Sequence, residues 1–197
     1  AGGTTVAIFP TETEDNVRFV LEHSEASLLF IGRLDGWAHQ ASGVPAGLPC
    51  IELPLAPHTG FPTWNEIIAR TAPVVGRPQR QGADLAMLMY TSGSTGQPKG
   101  VMHSFERMTH MTELRNADCL RRLGAGNVMR QLSYLPLAHA YERAGLEASM
   151  LQDGQGRIYF NDSLATFTAD LRRARPTIFM SVPRLWLKFQ QGVFAGM

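Results

Sequence analysis

From Thr91 to Lys99 the chain reads TSGSTGQPK, with Gly93 and Gly96 set among Ser92, Ser94 and Thr95 and a lysine close behind. Glycines let backbone N–H groups close on an anion, the hydroxyls add donors and Lys99 adds a charge, which together describe a phosphate-binding nest. A Walker loop needs glycine directly before its lysine and Ser/Thr directly after it, to hold magnesium at a helix start. Here Pro98 and Gly100 occupy those two places. The dinucleotide pattern fails too, because no glycine lies two positions from Gly93 or Gly96. The flanks LAMLMY and KGVMH read as extended, so the spacing predicts a mobile loop between two strands, able to close over a triphosphate and reopen to release pyrophosphate. A solvated Ser/Gly linker is the plainer alternative, but it lacks both a buried strand before it and a fixed Pro-Lys-Gly exit.

His139 is the second residue with chemical potential. On the residues alone, a core or helix-capping histidine is the simpler reading, with Glu142 three positions on as a partner.

The elements that must carry these groups alternate. Strand-like runs lie at Thr5–Phe9, Ser27–Ile31, Cys50–Leu53, Leu85–Tyr90, Val128–Leu135, Arg157–Phe160 and Thr177–Val182, with helical spacing between them, and this predicts an α/β layered fold. Val17, Val20 and Leu21 form one face of a first helix with acids in its opening turn, and Thr63 with Glu66 forms a capping box. Ser104 as N-cap and Gly124 as stop predict the longest helix over 104–124. Further helices are expected over 139–152 and 163–176. Arg172, Arg173 and Arg175 read as cations at a helix C-terminus rather than as a nucleic-acid patch. Thr71 to Gly82 is rich in Pro, Gly, Gln and Arg and lacks periodicity, so it reads as a linker. The expected organisation is a leading α/β segment over 1–72, a linker over 73–82 and a loop-bearing α/β subdomain over 83–197.

Composition narrows the partners. Eighteen Lys+Arg against 17 Asp+Glu leave a net charge of +1, which argues for neither nucleic acid nor a strongly acidic partner. Cys50 and Cys119 form neither a CxxC pair nor a disulfide framework, and a reducing, cytoplasmic setting fits them. No apolar run reaches the ~18 residues of a membrane span, and AGGTTVAIFP lacks the basic start of a signal peptide. The two ends suggest a piece of something longer.

YTSGSTGQPKGV, Tyr90 to Val101, resembles the signature loop of the adenylate-forming superfamily. YLPLAHAYER, Tyr134 to Arg143, and RPTIFMSVPRLWLKFQQGV, Arg175 to Val193, are similar to segments of its long-chain fatty acyl-CoA synthetases, as is the opening AGGTTVAIFPTETEDNVRFVLEHSEASLLFIG. The resemblance implies an incomplete, layered βαβ portion of the large N-terminal domain, without the C-terminal domain. It implies a parent that condenses a fatty acid with ATP and Mg2+, then passes the acyl group to coenzyme A. Thr91, Ser92, Gly93, Ser94, Thr95, Gly96 and Lys99 would hold the β- and γ-phosphates, Thr91 would lie near magnesium, and His139 would stand between the acyl and adenylate sites as a positioning residue. Tyr134, Met150 and Phe179 would line an acyl pocket or simply belong to the core.

The family's later motifs, a glutamate for magnesium, an aspartate for ribose and a C-terminal lysine, have no counterpart here. The chain alone is therefore expected not to complete adenylation. Two other readings remain open: a non-catalytic binding module of the same fold, and a ligase for another carboxylate. Peripheral membrane contact of the parent and self-association through exposed sheet edges are further expectations.

Overall fold

Parallel strands need crossover connections, and the sequence supplies helices between its apolar runs. The computed structural model describes residues 2–91, 97–124 and 126–195. In chain order, β1 (Thr5–Ala7) leads to α1 (Glu14–His23), β2 (Leu29–Ile31), the short α2 (Trp37–Gln40) with a 3-10 turn at Ala41–Gly43, β3 (Cys50–Glu52) and α3 (Trp64–Arg70). Then come β4 (Leu85–Thr91), β5 (Lys99–Ser104), α4 (Phe105–Leu123), β6 (Arg130–Ser133), a π-helical segment (Tyr141–Ala148), α5 (Ser149–Asp153), β7 (Arg157–Phe160), α6 (Phe167–Ala174) and α7 (Pro183–Ala195). Among the described residues no helix is long and apolar enough to cross a membrane.

The chain divides into two compact units, 1–111 with 135–144, and 112–134 with 145–197. In the first, β4 is the centre of the sheet β1-β4-β5, parallel to β1 in the register Val6↔Leu88 and antiparallel to β5; β2 and β3 form a separate parallel pair. The expected linker residues, Thr71 to Gly82, are exposed and form no helix or strand, and β1 and β4 pair in one sheet across them. Thr13 caps α1 by accepting from the Asn16 N–H at 3.3 Å, and Val17, Val20 and Leu21 bury the expected face. The α3 capping box forms as the sequence predicts, Thr63 and Glu66 each bonding the other's backbone. That helix buries no residue, so its capping and the Trp64–Phe30 ring contact hold it in place of an apolar face.

Glu52 is a buried carboxylate, 7% exposed. It accepts from the Thr59 hydroxyl, from the Thr59 N–H at 2.6 Å and from the Gly60 N–H at 2.9 Å, which folds the loop after β3 around it. The Thr59 hydroxyl, then its N–H, hold the Glu52 pKa below the ordinary carboxylate value. Because the folded value is depressed, the stabilisation is present above the unfolded carboxylate pKa and is lost as pH falls through the folded one. Glu52→Gln is therefore expected to lower the thermal midpoint at neutral pH, with the gap to the unsubstituted protein closing as acid is added. A gap that is unchanged in acid would show that the carboxylate charge contributes nothing.

In the second unit β6 and β7 pair in parallel over a core of Cys119, Met129, Leu146 and Met150, with Leu123, Ile158 and Ile178 against it. Met150 is thus core. Tyr134 stacks on Phe179 at 5.9 Å and meets Phe167 at 5.3 Å, inside an aromatic group that includes Trp186 and Phe189.

Lys99–Ser104 is a strand, in keeping with the expected loop between two strands. Two elements differ from expectation. Thr177–Val182 is not a strand: the Thr177 hydroxyl accepts the Arg130 N–H at 2.8 Å, so a side chain takes a bond a ladder would need, and the Tyr134 hydroxyl donates to Ser181 Oγ at 3.0 Å. The helix expected over 139–152 opens as a π-helix before continuing as α5. Elsewhere the caps hold, with Ser104 Oγ accepting the Arg107 N–H and Gly124 closing α4 at φ +83°, a left-handed backbone that glycine takes without strain.

Candidate functional site

The glycine-rich stretch sits where a strand hairpin closes. β4 buries Ala86, Met87, Met89 and Tyr90, and its last pairs with β5 are Tyr90↔Gly100 and Thr91↔Lys99. Ser92, Gly93, Ser94, Thr95 and Gly96 lie outside the described residues; Thr91 and Lys99, on the two arms of the stem, are exposed. Gly100 has a steric role, since a Cβ there would stand 3.3 Å from Tyr90 Cζ. The tyrosine ring thus covers the glycine across the strand pair, and a bulkier residue would push it away.

The carboxyl ends of the parallel strands β1 and β4 open on one cleft. Ala7, Ile8 and Phe9 follow β1, Tyr90 and Thr91 end β4, and Pro98, Glu12, Asn16 and Val20 complete a wall enclosing about 210 Å³. Ligands of open α/β sheets gather outside strand carboxyl ends, so this is where the fold offers a binding crevice. Asn16 Nδ2 donates to Glu12 Oε2 at 2.7 Å and fixes one wall.

His139 stands in a tight turn, its N–H donating to Pro136 O at 2.8 Å. Its Nδ1 accepts the Tyr141 N–H at 3.2 Å, so the imidazole caps the π-helical segment. With Nδ1 used as an acceptor, the neutral ring carries its proton on Nε2 and can present a donor there. Glu142 is itself deeply buried, at 1% exposed. Leu137, Ala138 and Arg143 line a small cavity with Thr5, Ala7 and Met87–Met89, and Arg143 Nη2 donates to Thr5 Oγ1 at 2.8 Å. The His139 turn therefore lies against β1 and β4, the strands whose ends form the cleft. An apolar groove of about 380 Å³, lined by Phe9, Ile31, Leu34, Trp37 and the turn residues Pro136–Ala138, runs beside it.

Sequence reasoning missed His23. Its Nδ1 lies 2.7 Å from the Tyr90 hydroxyl, with the two rings edge to face. Burial pushes the Tyr90 phenol pKa up. The one local signal was Phe19 four residues before His23, the helical spacing that stacks the two rings at 5.1 Å.

This arrangement is the fold of the N-terminal domain of adenylate-forming ligases. The structure is similar to that of the anthranilate CoA ligase AuaEII in complex with anthranoyl-AMP, with a TM-score of 0.74 and 20% identity over 89% of this chain and 34% of that one. It is also similar to a benzoate CoA ligase from Burkholderia xenovorans LB400, with a TM-score of 0.70 and 22% identity over 93% and 35% of the two chains. Residues 1–195 match the family model described as AMP-binding enzyme, and the chain belongs to that family. Curated relatives include long chain acyl-CoA synthetase 4 of Arabidopsis thaliana, 28% identical over 95% of this chain and 30% of its own length. Acyl-CoA ligase 891, peroxisomal, of Penicillium brevicompactum is 37% identical over 58% of this chain and 15% of its own length. The chain spans less than a third of the length of these relatives.

Proposed function

We propose that the chain is the phosphate-gripping portion of an AMP-forming acid–thiol ligase whose parent activates long-chain fatty acids. The observation that carries this reading is the hairpin joined at Thr91↔Lys99, placed at the carboxyl ends of β1 and β4. In the parent reaction a carboxylate oxygen attacks the α-phosphorus of ATP and pyrophosphate leaves. The thiol of coenzyme A then attacks the acyl carbon and AMP leaves. Both steps need anions held in place while charge builds on phosphate oxygens.

Thr91 to Gly96 would supply backbone and hydroxyl donors to the β- and γ-phosphates, and Lys99 their counter-charge. His139, with Nδ1 engaged by Tyr141, would offer an Nε2–H to an oxygen of the acyl or phosphoryl group and so orient it. Among the described residues no cluster of three or more His, Cys, Asp or Glu could hold a metal ion. Mg2+ would be brought in on the nucleotide, since it keeps waters and phosphate oxygens as most of its ligands. Thr91 would hold it with its exposed hydroxyl, and the ion would offset phosphate charge.

Long-chain substrates are favoured by the similarity of LPLAHAYER and SVPRLW to that subfamily and by the long-chain acyl-CoA synthetases among the relatives. An aryl acid is the second reading, supported by the benzoate and anthranilate ligases of similar fold. Contact of the parent with a membrane surface, a cytoplasmic setting and self-association through the edges of the sheet belong to the same proposal.

The test is ATP–pyrophosphate exchange with palmitate or benzoate. The full-length ligase should exchange with palmitate and far less with benzoate, and the 197-residue chain with neither. Exchange by the chain alone would contradict its assignment as a portion of the active site, and preference for benzoate would transfer the substrate to the second reading.

A further inference from the structure

We propose that His23, acting through Tyr90, is a positioning residue that sets where the phosphate-holding hairpin presents its two ends; this rests on the phosphate reading above. Tyr90 is the last buried residue of β4, directly before Thr91, and its cross-strand neighbour Gly100 directly follows Lys99. Fixing the Tyr90 ring therefore fixes both arms of the stem. Three groups hold that ring. Gly100 lies under it, Phe19 meets it edge-on at 6.4 Å and 88°, and His23 Nδ1 hydrogen-bonds its hydroxyl at 2.7 Å.

The contact joins two distant elements. A phenol placed at a strand end needs a polar partner once it is buried. The partner comes from the last residue of α1, 67 positions away in sequence. α1 is itself well anchored, with Thr13 at its N-cap and Val17, Val20 and Leu21 buried, and Asn16 and Val20 of the same helix wall the cleft. One helix thus holds the crevice with its first turns and the hairpin stem with its last residue. Without the His23–Tyr90 bond the stem keeps its strand pairing but loses its fixed height against α1, and Thr91, which lines the cleft at the end of β4, is no longer held at one position.

The test measures binding of inorganic tripolyphosphate and of ATP to the 197-residue chain by calorimetry, for the unsubstituted protein, Lys99→Ala, Tyr90→Phe, His23→Leu, His23→Gln and the Tyr90→Phe/His23→Leu double variant. Tyr90→Phe and His23→Leu should each weaken binding about fivefold, the scale of one hydrogen bond. The double variant should be no weaker than either single one, because both remove the same bond. His23→Gln, which keeps a side-chain hydrogen-bonding group, should recover most of the loss, and the thermal midpoints should fall by no more than about 4 °C. If Lys99→Ala weakens binding while Tyr90→Phe and His23→Leu do not, the positioning role is wrong and the phosphate reading stands. Should the unsubstituted chain bind neither anion, or Lys99→Ala bind as well as it does, the phosphate reading falls and the inference with it. A loss of affinity accompanied by a midpoint fall well beyond about 4 °C would assign the pair a purely structural role. If His23→Leu does not fold, Tyr90→Phe, which removes a single oxygen, decides alone.

Discussion

Lys99→Ala in the full-length ligase is expected to lower kcat/KM for adenylation about a hundredfold, the effect of removing one preorganised charge from a phosphoryl-transfer site. The side chain is exposed at the hairpin stem opposite Thr91, free of the cost of burying an unpaired ammonium. Neither Lys99 nor any other lysine or arginine is among the described residues lining the cleft, so the Lys99 charge would act from the hairpin stem. Nothing described there would substitute for its charge when phosphate oxygens gain negative charge on the way to pyrophosphate. ATP–pyrophosphate exchange reads the step directly. Lys99→Arg keeps the charge but replaces a compact ammonium by a planar fork, so it should recover only part of the rate. Unchanged kinetics in Lys99→Ala would remove this residue from the site.

The largest effect on stability is expected from Gly43→Ala. A Cβ at Gly43 would stand 2.2 Å from the Glu14 carbonyl oxygen and 3.0 Å from its carbonyl carbon and Cα. Those are backbone atoms of the first turn of α1, which cannot swing aside as a side chain would. The surroundings are also tied, because Arg18 donates to Ser42 O and the Ser42 hydroxyl to Glu14. Overpacking against backbone should cost about 3 kcal/mol, a fall of roughly 10 °C in the thermal midpoint. Gly36→Ala is the matched control, its added Cβ meeting only Pro10 O at an ordinary 3.6 Å. Equal midpoints for the two variants would show that α1 moves away from the 3-10 turn without penalty.

What sequence could and could not announce follows the range of the forces involved. The Thr63–Glu66 box, the Ser104 cap and the Gly124 stop were legible because each is decided within a few residues. The alternation of apolar runs and helical spacing likewise made the α/β class legible, and the extended flanks of TSGSTGQPK announced the strand pair β4 and β5. Thr177–Val182 misled because β-branched and apolar content indicates a strand but says nothing of whether a neighbour's N–H groups are already taken, as Arg130's is by the Thr177 hydroxyl. The π-helical start of Tyr141–Ala148 carried no periodicity distinct from an α-helix at that length. His139 was legible as a capping group, and its Nδ1 accepts the Tyr141 N–H as a cap would. His23 was illegible, because only the tertiary fold brings it to Tyr90.

The strand pair that ends at Thr91↔Lys99 has an entropic consequence as well. Seven residues, 92–98, lie between two positions already held side by side. A flexible segment of that length, if it had to bring its own ends together on meeting an anion, would lose loop-closure entropy at the moment of binding. Here folding has met that cost in advance, through the ladder of β4 and β5 and the ring resting on Gly100. An anion bound there would meet ends already brought together, so its binding free energy would go to orientation and not to closing the loop.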